Sequence, residues 1–186
     1  MSDPALLEAV LAKDAALIEG VAAGQWALPT PCTEYDVRTL VNHIVGWLEV
    51  FAAGANQRAH DGNADGFTTD DPAGDFTAAA ADLVAGWRSV PADRPVKVAT
   101  TDVPQDSAFA MTLMEYVTHG CDLALATGQP VPFADDELET TLAAARTTLP
   151  PQYRGPGKAF GDEVTVPHDA PPLDRLLGFM GRAPRA

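Results

Sequence analysis

Basic residues are scarce in this sequence: 12 Lys and Arg stand against 26 Asp and Glu in 186 residues, for a formal net charge of −14. A surplus of that sign repels phosphate backbones and anionic lipid headgroups, which excludes nucleic-acid or membrane-surface binding through a basic face. Long apolar runs are missing too, and none approaches the roughly 18 residues a membrane-spanning helix needs. The opening residues Ser2, Asp3 and Pro4 carry none of the positive charge that begins a secretory signal, so a cytoplasmic protein is expected. Only two cysteines occur, Cys32 and Cys121, too few for a disulfide framework. Each is expected to be a reduced, small buried hydrophobe.

What the sequence does have is apolar content, 46% of residues, enough to build a core. The length suits one domain spanning 1–186, with a bundle over about 4–149 and an extension over 150–186. Ala and Leu are plentiful and apolar residues return at intervals of three and four, which predicts helices. The first runs from Pro4 to about Ala23 and ends at Gly24. Thr33 is expected to cap the second, with Glu34 and Asp36 in its first turn and Val37, Leu40, Val41, Ile44, Leu48 and Phe51 on its core face. The stretch Gly54 to Asp71 reads as a mobile surface loop with little to bury. Asp71 and Pro72 open a third helix to about Ser89. Arg94 to Gln105 is an irregular connection with a short extended piece at Val96 and Val98. A fourth helix covers Ser107 to Thr127 and stops at Gly128; a fifth, capped by Asp135 or Asp136, reaches Leu149. Pro150 to Pro172 is loop, and a last short helix covers Leu173 to Met180. No strand pattern suffices for a sheet, and the expected architecture is all-α, a four-helix bundle with C-terminal additions.

The fourth helix carries Glu115, Thr118, His119 and Asp122 in an otherwise apolar segment. At 100° per residue, Glu115 and His119 share a face one turn apart, with Asp122 beside them. Tyr116 and Leu123 lie beyond this cluster, so the helix is expected to be buried over much of its circumference. No Lys or Arg occurs between Lys97 and Arg146, so Glu115 has no cation on its own helix, and a metal ion is one of the few partners that would suffice. With about one residue in seven acidic, a Glu–His pair alone carries little weight, and a third ligand is needed. His43 is the candidate, at the flank of the second helix's apolar arc. The alternative is a satisfied core histidine beside a surface Glu–His pair. His60 and His168 lie in turn-rich settings and read as exposed loop residues. One carboxylate and two imidazoles suit zinc, leaving a coordination position open as catalytic sites do, and suit iron, nickel or manganese by ligand type.

Three stretches resemble a known family. TPCTEYDVRTLVNHIVGW (30–47), EYVTHGCDLALATGQP (115–130) and the tail APPLDRLLGFMGRAP (170–184) are similar to DinB-like proteins of the mycothiol-dependent maleylpyruvate isomerase N-terminal-domain family, the tail to an actinobacterial metal-binding subgroup. The resemblance implies a DinB-like four-helix bundle in which His43, Glu115 and His119 bind a divalent metal. Cys121 stands where that family usually has Trp, and Tyr35 where it often does. The separate C-terminal domain of the true isomerases has no counterpart here, so isomerisation of maleylpyruvate itself is not expected.

Two functional expectations follow. One is a metal-dependent thiol transferase or isomerase using mycothiol or a similar small thiol, with a small electrophile as second substrate. Asp122 would orient a ligand, and Arg38 would pair with Asp122 or with an acidic group of the substrate. The other is a non-enzymatic metal-binding or stress-response module with a protein partner, in which the metal contributes folding energy. A homodimer is compatible with both. A hydrolase reading lacks a general base, since no Glu adjoins a ligand His. Cys32, just before the expected cap, would have its thiolate stabilised by the helix N-terminus, although a packing role is favoured.

Overall fold

A computed structural model describes residues 2–60, 62–64, 66–91, 93–155 and 160–183. Their order is α1 (Pro4–Glu19), α2 (Val37–Ala55), α3 (Pro72–Ser89), β1 (Val96–Val98), β2 (Thr101–Val103), α4 (Gln105–Thr127), α5 (Asp135–Thr148), a 3₁₀ turn (Pro151–Tyr153) and α6 (Pro172–Phe179). The fold is all-α apart from one short hairpin. Helices α1 to α4 close a four-membered ring, with α1 against α3 and α4, and α2 against α3 and α4. Helix α5 lies against the outside of α4, and α6 against α5. Helix α4 is therefore covered by α1, α2 and α5, which is why it is buried on most sides, as Tyr116 and Leu123 foretold.

Several boundaries differ from the sequence expectation. Helix α1 stops at Gly20, not Gly24, because residues 21–28 turn away through short-range bonds such as Gln25 N–H to Ala22 O. The cap of α2 is Asp36, whose carboxylate accepts the Thr39 N–H at 2.8 Å, and Thr33 is an exposed turn residue. Residues 32–35 cannot be helical there: Thr30 and Tyr35 are tied together, and Pro29 bridges to Asp36. The extended piece at Val96 and Val98 has a partner. It pairs antiparallel with β2 in a small hairpin, with Lys97 across from Asp102 at 2.8 Å. The stretch after α2 buries more than its composition suggested, since Ala64 is covered and Phe67 packs against Gly46. Residues 61, 65 and 156–159 of the two expected loops lie outside the described residues.

The core gathers along the inner faces of the ring. Tyr116 is fully buried between Phe51 and Phe76, its ring edge-on to both at centroid distances of 6.3 and 6.2 Å. With Tyr116 in the core, the preceding Glu115 is turned about 100° round α4, toward α2. Several polar atoms among the described residues are buried without a hydrogen bond, both carboxylate oxygens of Asp14 on α1 among them; its Oδ1 lies over Gly120 of α4, where any side chain would strike it. Among the described residues no helix is long and apolar enough to cross a membrane.

Candidate metal centre

Packing of α2 on α4 brings His43 opposite Glu115 and His119. His43 Nε2 lies 3.0 Å from Glu115 Oε1, and His119 Nε2 lies 3.6 Å from the same oxygen. The two imidazole rings are 5.1 Å apart and nearly perpendicular. All three potential ligand atoms fall within 4.8 Å of one another. Two ligands at roughly 2.1 Å from a tetrahedral ion stand about 3.4 Å apart, so the observed spacings suit one small cation. The sites are partly shielded, with side-chain exposures of 15% for His43, 14% for Glu115 and 9% for His119.

The other nitrogen of each ring is held from behind. His119 Nδ1 lies 3.1 Å from Asp122 Oδ2. An ionised carboxylate only accepts, so neutral His119 carries its proton on Nδ1 and presents a lone pair at Nε2. His43 Nδ1 lies 3.2 Å from the Tyr35 hydroxyl, which is able to accept the same kind of bond. Trp47, one turn along α2, meets the His43 ring edge-on. Between the rings, Glu115 Oε1 is buried without an aligned donor, although Nε2 of His43 is within reach by distance. Burial works to raise the Glu115 carboxyl pKa, but the charge of His119, contact with His43 and nearby Arg182 outweigh it and hold the group below its ordinary value. Ionised Glu115 therefore needs positive charge in this gap, as protons on the rings or as a metal ion.

Asp122 is fully buried, and its cationic partner is Arg182, not Arg38. Arg182 Nη2 donates to Asp122 Oδ2 at 2.6 Å and Nε to Oδ1 at 3.2 Å. Burial pushes the Asp122 carboxyl up, while bonds from His119 and Arg182 bring it below its usual range. Arg38 instead stacks over Trp26, 4.6 Å from the ring centre, on the exposed side of α2. Arg182 was not legible in the sequence: it is one of three basic residues, with Arg175 and Arg185, in the last twelve positions, too common a pattern to single out.

Cys32 Sγ comes within 4.8 Å of a His119 nitrogen and an Asp122 oxygen, a second group with the elements of a metal site. There, however, the carboxylate is already balanced by Arg182. Burial pushes the Cys32 thiol above its ordinary pKa, Arg182 opposing, so the thiolate expected from a helix N-terminus is not favoured. With Asp36 as the cap, Cys32 is not at the helix end at all. It is half-buried, Cys121 is buried, and neither forms a disulfide. His168 is exposed as expected, whereas His60 is half-buried, its Nδ1 accepting the Gly62 N–H at 2.9 Å. It lines a separate cavity of about 420 Å³ between α2 and α3, whose Asp82 is held by Arg58 and Asn56.

A ring of four helices with two imidazoles and a carboxylate converging from α2 and α4 defines a DinB-like bundle. The Mycothiol maleylpyruvate isomerase N-terminal domain family matches residues 7–124, well over half the chain, and the protein belongs to that family. The matched span contains His43, Glu115, His119 and Asp122 and stops short of Arg182. Two uncharacterized proteins of Mycobacterium tuberculosis, from strains CDC 1551 / Oshkosh and ATCC 25618 / H37Rv, are each 36% identical to it over 172 residues, 92% of this chain and 92% of their own. No solved structure matches it significantly.

Proposed function

We propose that this protein binds a divalent transition metal through His43 Nε2, Glu115 and His119 Nε2, and that the site serves chemistry on a small thiol of the mycothiol type. The observation that carries this reading is Glu115 Oε1, buried between two imidazole nitrogens with no aligned donor. Such an ion, when bound, supplies a Lewis-acid position that favours ionised thiol at neutral pH. Zinc suits the donor set best, and nickel, iron and manganese share its ligand types. The chain's own residues fix the geometry: Asp122 holds His119 by Nδ1, Tyr35 holds His43 by Nδ1, and Trp47 flanks the His43 ring. The reaction class that fits is S-transfer or isomerisation with an electrophilic small molecule.

The limited exposure of all three side chains favours a second reading, a closed metal site that stabilises the bundle and supports binding to a partner protein. Elemental analysis of the purified protein, followed by incubation with mycothiol and a panel of electrophiles, separates the two. Stoichiometric metal with a metal-dependent conjugate in the mass spectrum supports the enzyme. Metal without any conjugate, and melting of the fold on chelation, supports the structural reading. Replacing Glu115 by Gln is expected to lower metal affinity at least about 100-fold while the helical circular dichroism persists; unchanged metal uptake would refute the ligand set.

A further inference from the structure

The C-terminal segment reaches the site through one side chain. Helix α6 is pinned by Leu176, Leu177 and Met180, which are 0%, 4% and 1% exposed. After it the chain turns at Gly181, whose φ of +80° only glycine adopts without strain, and the Arg182 N–H returns to Leu177 O at 2.9 Å. These contacts aim Arg182 inward, where it is 7% exposed. Its Nη1 donates to Met180 O at 2.8 Å, which fixes the plane of the guanidinium. The remaining edge grips both oxygens of Asp122, and the Asp122 oxygen that takes the 2.6 Å bond is the one facing His119 Nδ1.

We propose that Arg182 is a positioning residue for the metal centre: by clamping the Asp122 carboxylate it holds the His119 ring with Nε2 turned to Glu115 and His43. This rests on the metal-binding reading above and adds to it that a segment 60 residues from Asp122, outside the span matched by the family, sets the affinity of the site. Without the guanidinium, Asp122 is a buried carboxylate held only by the imidazole, free to rotate and to release the ring. Arg38 has no such role, since it is engaged with Trp26.

The test is a zinc and cobalt titration in competition with a chromophoric chelator, on the full chain, with four proteins: wild type, Arg182→Ala, Arg182→Lys and Leu83→Ala. The last removes a fully buried core side chain of α3, near the end of α2 far from His43, and controls for loss of stability. Arg182→Ala is expected to weaken metal binding about 10- to 100-fold, as loss of a residue behind a ligand generally does. Arg182→Lys is expected to recover part of this, because an ammonium restores the charge but not the two-point grip. Leu83→Ala is expected to stay within about two-fold of wild type at a temperature where it remains folded, its lost contacts being remote from the ligands and from Arg182. Wild-type affinity in Arg182→Ala, or an equal loss in Leu83→Ala, overturns the positioning role while leaving the metal site standing. Failure of wild type itself to bind either metal overturns the site, and the proposal with it.

Discussion

Asp14 shows how much a single buried side chain can tie stability to pH. It is 1% exposed, and neither carboxylate oxygen has a hydrogen bond. Burial drives its pKa well above the ordinary value of about 3.9, and Lys13, itself paired with Glu137, offsets only part of that. The folded state thus holds a proton on Asp14 where the unfolded chain has lost it. That contribution to stability is complete below the unfolded pKa and is lost as pH rises through the raised folded one. Asp14→Asn, which cannot ionise, is expected to gain melting temperature relative to wild type on going from pH 4.5 to pH 8. A difference between the two proteins that does not change with pH would show that Asp14 is not protonated in the fold. Tyr116 on the facing helix, its pKa raised chiefly by burial and further by Glu115 and Asp14, stays neutral across that range and does not confuse the comparison.

Helix α2 depends on a cap that the sequence made ambiguous. Thr33 and Asp36 both precede an apolar run, and both are good capping residues; the choice falls to Asp36 because Pro29 to Tyr35 is held as a turn by contacts that spacing does not reveal. Asp36→Ala is expected to cost about 1 kcal/mol in denaturant unfolding, and Thr33→Ala only a few tenths. Equal losses would place the cap wrongly. The same contrast describes the legibility of the whole chain. Helices with strong periodicity, such as α3 and α4, were readable to within two residues, and so was the convergence of Glu115 and His119, which one helix dictates. His43 could be proposed because its own helix placed it at the edge of the core. Asp122's partner was not readable, since Arg38 and Arg182 are chemically equal and only tertiary packing decides between them. The hairpin strand Thr101–Val103 escaped for a different reason: three residues with two of them exposed carry no alternation to detect.

At the scale of the molecule, the charge of −14 acts mainly as self-repulsion, because most acids are spread over outer helix faces and loops. That repulsion reaches less far as salt rises, the Debye length falling from about 30 Å at 0.01 M to about 10 Å at 0.1 M. Melting temperature is therefore expected to increase over that range; a decrease would mean that surface ion pairs such as Arg88–Glu8 outweigh repulsion. Bound metal should add to stability by mass action, so the melting temperature of wild type should climb with added zinc while that of Glu115→Gln does not.

Burial of α4 on three sides also bears on how such a protein changes over evolutionary time. Substitutions on that helix disturb three packed interfaces at once, so the pair Glu115 and His119 stands on ground that drift rarely alters. The approaches to it are built otherwise, from the turn holding Cys32 and Tyr35 and from the short run after α6 that ends in Arg182. Both are brief and lie at the ends of helices, where length and identity are cheap to vary. A lineage could thus acquire new ligands by editing a handful of peripheral codons, with the inner helix retained as an inherited base.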